Sequence, residues 1–139
     1  MTISECRYKL ERLRNDLEYY KEKRRLAFEK TQPKSSNLSS ERVKGGKTPD
    51  KLIDYLESVE YYDDKIKKIS KELNIFSKWL SRTEKIILSH YKDKQREVIQ
   101  LREEDNLEWD KISQRTYYSL SQAYKIYSDF LKEKTNIER

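Results

Sequence analysis

Between residues 111 and 128 the chain concentrates side chains that donate and accept hydrogen bonds, in a stretch without Gly or Pro. Ser119, Ser121, Gln122, Tyr124, Lys125 and Ser128 follow Lys111 and Arg115 there. Helical spacing places Ser121, Gln122, Tyr124, Lys125 and Ser128 away from an apolar stripe of Ala123, Ile126 and Phe130. Gln can bond adenine through two hydrogen bonds, Lys can reach guanine or phosphate, and hydroxyls can hold a helix on the sugar-phosphate backbone. Lys111 and Arg115 lie on the segment before it, placed to meet phosphates. The chemistry these residues suit is non-covalent recognition of double-stranded DNA.

Other reactive residue types lack the company that catalysis or metal binding needs. His90 has no Cys or His at metal-ligand spacing and reads as a surface or helix-end residue. Cys6 falls on an apolar seam and reads as a small core residue. Glu103, Glu104 and Asp105 read as a solvated helix end. The tyrosine pairs at 19 and 20, 61 and 62, and 117 and 118 each predict one packed ring and one exposed ring. There is no Gly-rich phosphate loop and no triad spacing, so no enzyme, cofactor or metal is expected.

The elements that must position the 111–128 stretch are helices. LEWDKISQR forms a short one with Trp109 and Ile112 three apart, TYY a tight connection, and a last helix runs from Ser119 to about Lys134, with Ser119 and Gln122 at capping distance. A short helix crossing a longer one is the helix-turn-helix pattern. REVIQLREED supplies a further helix ahead of it.

Upstream, Ile3, Cys6, Leu10, Leu13, Leu17, Tyr20, Arg24 and Ala27 recur at spacings of three and four, broken only by Arg24. Thr2 and Glu5 have capping-box spacing, so helix one spans about 3 to 30. Residues 31–47, TQPKSSNLSSERVKGGK, read as a flexible, net positive linker. Thr48 as N-cap, Pro49 and Asp50 then open helix two. Its seam holds Leu52, Val59, Ile66, Leu73 and Leu80 at one heptad position and Tyr55, Tyr62, Ile69 and Phe76 at the other. Ser81 and Glu84 offer a new capping box, which predicts a break and a separate short helix over EKIILSHY.

The expected fold is all-α: an elongated antiparallel helical hairpin, a coiled coil, over 1–81, followed by a small helix-turn-helix domain over 82–139. Composition agrees. Of 139 residues 40% are charged and 35% hydrophobic, with two glycines and two prolines, which excludes a large round core and favours narrow seams. Eleven tyrosines argue against disorder. A net charge of +6 is compatible with nucleic acid but modest for a binder driven by charge alone. No apolar run suits a membrane span, a lone cysteine makes no internal disulfide, and MTISECRYKL lacks a signal-peptide core, so a cytoplasmic protein is expected.

The stretch REVIQLREEDNLEWDKISQRTYYSLSQAYKIYSDFLKE, with the hairpin before it, resembles the ArpU-type regulators of bacteriophages and prophages, whose C-terminal part is similar to region four of sigma factors. Arg96, Leu101, Arg102, Leu107, Trp109, Ile112, Tyr118, Ser119, Ser121, Tyr124 and Leu131 carry the match without a gap. Asn106 replaces a frequent Gly but tolerates a left-handed backbone. Thr116 and Tyr117 stand where Leu and Gly are common, which predicts a wider inter-helix turn. Leu120 stands where a basic residue is frequent, and charges nearly cancel from Arg82 onward, which predicts low phosphate affinity.

The resemblance implies a transcriptional regulator of phage or prophage genes, often late ones, acting in a bacterial host cell. Its last helix would lie in the major groove, and the hairpin would serve a homodimer or contact with RNA polymerase. The alternative expectation is a non-catalytic interaction module that binds a host or phage protein through the charged hairpin.

Overall fold

The computed structural model describes residues 1–32 and 48–138, with the side chains of residues 48–50 left out. Among the described residues five helices follow in order: α1 (Ile3–Thr31), α2 (Thr48–His90), α3 (Asp93–Glu103), α4 (Trp109–Thr116) and α5 (Leu120–Glu138). The fold is all-α, and α1 packs against α2 as a hairpin. Most of the expected linker, and the capping side chains expected at Thr48, Pro49 and Asp50, lie outside the described residues.

The chain divides into two compact units. One is Arg12–Leu73; the other joins Met1–Glu11 to the chain from Asn74 onward. The boundary expected between residues 81 and 82 therefore falls inside α2, and the first turns of α1 belong with the C-terminal helices.

In the Arg12–Leu73 unit the seam is thin. Leu13, Leu17 and Tyr20 of α1 and Val59, Tyr62, Ile66 and Leu73 of α2 are half-buried, and Ala27 and Ile69 are buried. Tyr20 meets Tyr62 with ring centroids 6.2 Å apart. Arg24, the polar interruption, reaches Asp63 at 2.5 Å and lies over the Phe28 ring. The guanidinium thus keeps its head at the edge while its stem covers the seam. Leu52, expected on the seam, is 36% exposed. Lys30 of the last turn of α1 lies over Tyr55, so α1 ends before it reaches the turn that carries Leu52.

In the other unit the capping box expected at the start of α1 is present. Thr2 N donates to Glu5 Oε2 at 3.2 Å, and Glu5 N donates to Thr2 Oγ1 at 3.1 Å. Ile3, Ile87, Tyr91, Ile99 and Phe130 form one core cluster; Val98, Leu101, Ile112 and Ala123 form a second, bridged to the first by Ile126. Cys6 is fully buried as expected, its thiol donating to the Phe76 carbonyl at 3.5 Å. Burial pushes the thiol pKa up, away from nucleophilic reactivity.

The break expected after Leu80 does not occur; α2 runs on to His90. Its packed stripe continues as Phe76, Leu80, Thr83 and Ile87 at spacings of four, three and four, the first two half-buried and the last two buried. Thr83 occupies a seam position as a polar residue, which made the apolar pattern look interrupted. Its hydroxyl donates to the Trp79 carbonyl four residues back at 2.8 Å, so it is satisfied inside the helix. Glu84, expected in a cap, instead pairs with Arg7 at 3.1 Å. Arg96 closes the end of α2 by donating to the Leu88 and Tyr91 carbonyls, each at 2.7 Å.

Glu103, expected on a solvated helix end, is fully buried. Its Oε1 accepts from Lys134 Nζ at 2.5 Å and its Oε2 from the Ile3 backbone at 3.1 Å. Lys134 is 5% exposed and also donates to the Met1 carbonyl at 2.9 Å. A single ion pair thereby fastens the start of α1 to α3 and α5. Ile99 with Glu103, and Phe130 with Lys134, each stand four apart on a buried face, so both charges prolong apolar stripes.

Candidate nucleic-acid interface

The residues predicted to recognise DNA come together on α4 and α5. Ile112 and Ala123 are fully buried against each other's helices, with Trp109 and Tyr118 packed on that cluster. A three-residue turn, Tyr117 to Ser119, joins the two helices. The wider turn expected from Tyr117 does not form, because Tyr117 itself adopts the left-handed conformation at φ 63°. Its N–H donates to the Ser113 carbonyl at 2.9 Å, the usual left-handed helix stop. Ser113 Oγ donates to the Tyr118 carbonyl at 2.6 Å and pins the turn from the other side. Asn106 is the other non-Gly residue with positive φ among the described residues, at 53°, and it supports the turn between α3 and α4 as expected.

The cap of α5 follows the expected pattern. Ser119 N donates to Gln122 Oε1 at 3.0 Å, and Gln122 N donates to Ser119 Oγ at 3.2 Å. Each satisfies a backbone amide that the helix leaves without a partner. Gln122 therefore has two duties, since its carbonyl oxygen serves the cap and only its amide nitrogen points to other partners. Bidentate pairing with adenine would require the cap to open.

Ser119, Ser121, Gln122, Tyr124, Lys125 and Ser128 are exposed, as are Lys111 and Arg115 on α4. Lys111, Arg115 and Lys125 take part in no ion pair among the described residues. Ser121 Oγ lies 3.3 Å from Ser119 Oγ. Tyr124 is 50% exposed, and its ring rests on Trp109 with centroids 4.4 Å apart. The Arg102 guanidinium covers Trp109 5.1 Å from its centroid and donates to the Leu107 carbonyl at 2.9 Å. Tyr124 is thus held against an Arg-Trp stack, with one edge in solvent.

Tyr117 and Leu120, read in the sequence for the turn and for phosphate affinity but not as DNA contacts, are also exposed. Tyr117 is 86% exposed, with Lys94 of α3 5.8 Å from its ring. Leu120, the first residue of α5, is 42% exposed. An apolar side chain at the tip of a helix that otherwise caps with Ser and Gln was the available signal.

Of the other candidates, His90 is exposed and its Nδ1 lies 2.8 Å from Glu133. Tyr91 donates to the same carboxylate at 3.3 Å. Burial, then the Glu133 charge, raise the Tyr91 pKa to about 12; burial and Glu103 do the same for Tyr127. Tyr19, Tyr61 and Tyr117 are exposed while Tyr20, Tyr62 and Tyr118 are half-buried, the division expected of each pair. Among the described residues, no three His, Cys, Asp or Glu gather in a metal-binding group, and no helix is long and apolar enough to cross a membrane.

Comparison with protein-family models, curated proteins and solved structures finds no match.

Proposed function

We propose that this chain is a non-catalytic, DNA-binding transcriptional regulator of phage or prophage genes, late genes among them, acting in the bacterial cytoplasm. The observation that carries the reading is the α4–α5 pair: two helices locked by Ile112 and Ala123 across a three-residue turn, with the polar side of the second left open. That arrangement suits insertion of α5 into a major groove while Lys111, Arg115 and Lys125 meet phosphates. The sequence from Arg96 onward, similar to ArpU-type regulators, supports the same reading. The hairpin would then supply a homodimer contact or a surface for RNA polymerase.

Gel-shift titrations on phage promoter DNA at several salt concentrations test this. Each cation that meets a phosphate steepens the dependence of log affinity on log salt by about one, so Lys125→Ala should flatten it by that amount. Absence of any salt-sensitive shift, together with unchanged promoter output in the Gln122→Ala, Lys125→Ala double variant, refutes the groove assignment.

A second reading, a hairpin that binds a host or phage protein, is favoured by a separate observation. Leu26, Phe28, Leu52, Ile53 and Leu56 are all exposed in the Arg12–Leu73 unit. Exposed apolar side chains of this kind suit a protein partner. Capture of a host or phage protein other than RNA polymerase by the full chain, without any salt-sensitive binding to DNA, would favour it.

A further inference from the structure

We propose that Leu120 is a specificity-determining residue that reads the 5-methyl group of thymine. The proposal rests on the DNA-binding reading above and deepens it. When a recognition helix enters the major groove, its N-terminal residues come closest to the base edges. In α5 those residues are Leu120, Ser121 and Gln122, and none is charged. Gln122 has committed its carbonyl oxygen to Ser119, through the backbone N–H at 3.0 Å and the hydroxyl at 3.1 Å. What it offers DNA is a donor alone, suited to thymine O4 or to guanine O6 and N7, and unsuited to the paired donor and acceptor of adenine.

Leu120 stands 42% exposed at this tip. One turn further, on the same side of the helix, the Tyr124 ring is held by Trp109 and extends the apolar strip. The base-edge feature of the major groove that rewards an apolar side chain is the methyl of thymine. Lys111, Arg115 and Lys125, on the same two helices, are exposed, and their charges match a polyanion. A contact between Leu120 and a thymine methyl carries sequence information, which a phosphate contact does not.

The test begins with the full chain and a random-sequence duplex library, from which bound duplexes are selected. The tightest is then made in two forms, one with thymine and one with uracil at every thymine position. Removing a methyl leaves base pairing and charge intact. Affinity should fall about fourfold for each methyl that Leu120 covers, the factor expected for one buried methylene-sized group. In Leu120→Ala the ratio between the two duplexes should shrink toward one, with the salt dependence unchanged. Equal affinity of the natural chain for both forms, with salt-sensitive binding intact, overturns the role of Leu120 and leaves the DNA-binding reading standing. So does a thymine-to-uracil ratio that persists undiminished in Leu120→Ala. If no duplex binds in a salt-sensitive manner, the DNA-binding reading falls and the role of Leu120 falls with it.

Discussion

Replacing Lys134 by Met isolates the buried charge of Glu103. Met has nearly the length of the lysine stem, so the substitution fills the same channel between Trp79 and Phe130, whose rings lie 6.0 and 5.6 Å from the ammonium, and removes only the charge and its hydrogen bonds. Glu103 has no exposed surface and would keep the Ile3 N–H as a donor, but no cation. Breaking one side of a buried pair costs about 3–5 kcal/mol, because the surviving charge is neither hydrated nor paired. Domains of this size are stable by about 5–15 kcal/mol, so the loss is a large share of the total.

The companion variant is Glu103→Gln, Lys134→Met. The Gln carbonyl can still accept from Ile3 N, and no buried charge is left unpaired. It should recover about 2 kcal/mol of the single variant's loss, a coupling typical of residues in direct contact. Urea unfolding followed by far-ultraviolet circular dichroism and by tryptophan fluorescence measures both, since Trp79 lies beside the pair. A Lys134→Met variant within about 0.5 kcal/mol of the natural chain, the range of ordinary surface changes, refutes the assignment of this pair as the fastening of α1 to α3 and α5. Strict additivity of Lys134→Met and Glu103→Gln refutes it too.

Three further outcomes are expected. Tyr91 and Tyr127 ionise at about 12 in the folded chain against the ordinary 10, so the unfolded chain gives up its protons first. Their contribution to stability is full below pH 10 and is lost between pH 10 and 12; urea midpoints across that window should fall, and fall less in Tyr127→Phe. Tyr117→Gly should raise stability by about 1 kcal/mol, because a side chain in the left-handed region costs roughly that much and this ring is 86% exposed; a lower melting temperature would contradict the local strain. Ser119→Ala should cost about 1 kcal/mol and speed amide exchange at Gln122, whose N–H donates to the Ser119 hydroxyl; unchanged exchange there would remove the cap from the account.

Local periodicity and capping chemistry were sufficient to read α1, most of α2, the core faces of α4 and α5, and the capping boxes at Thr2 and Ser119. These depend on residues three or four apart, and a helix brings such residues together whatever the rest of the chain does. Spacing alone also gathered the exposed polar face from Lys111 to Ser128.

Tertiary structure decided the remainder. α2 passes through Ser81 because Thr83 is accepted into the seam once its hydroxyl finds the Trp79 carbonyl. Tyr117 takes a strained backbone conformation because the packing of Ile112 against Ala123 fixes where the two helices must end. Glu103 and Lys134 lie 31 residues apart, and nothing local to either indicates its partner. A charged residue that prolongs an apolar stripe reads as solvated until the opposite charge arrives from another helix. Desolvation has to be compensated by a specific distant group, and only the assembled fold shows whether that group is there.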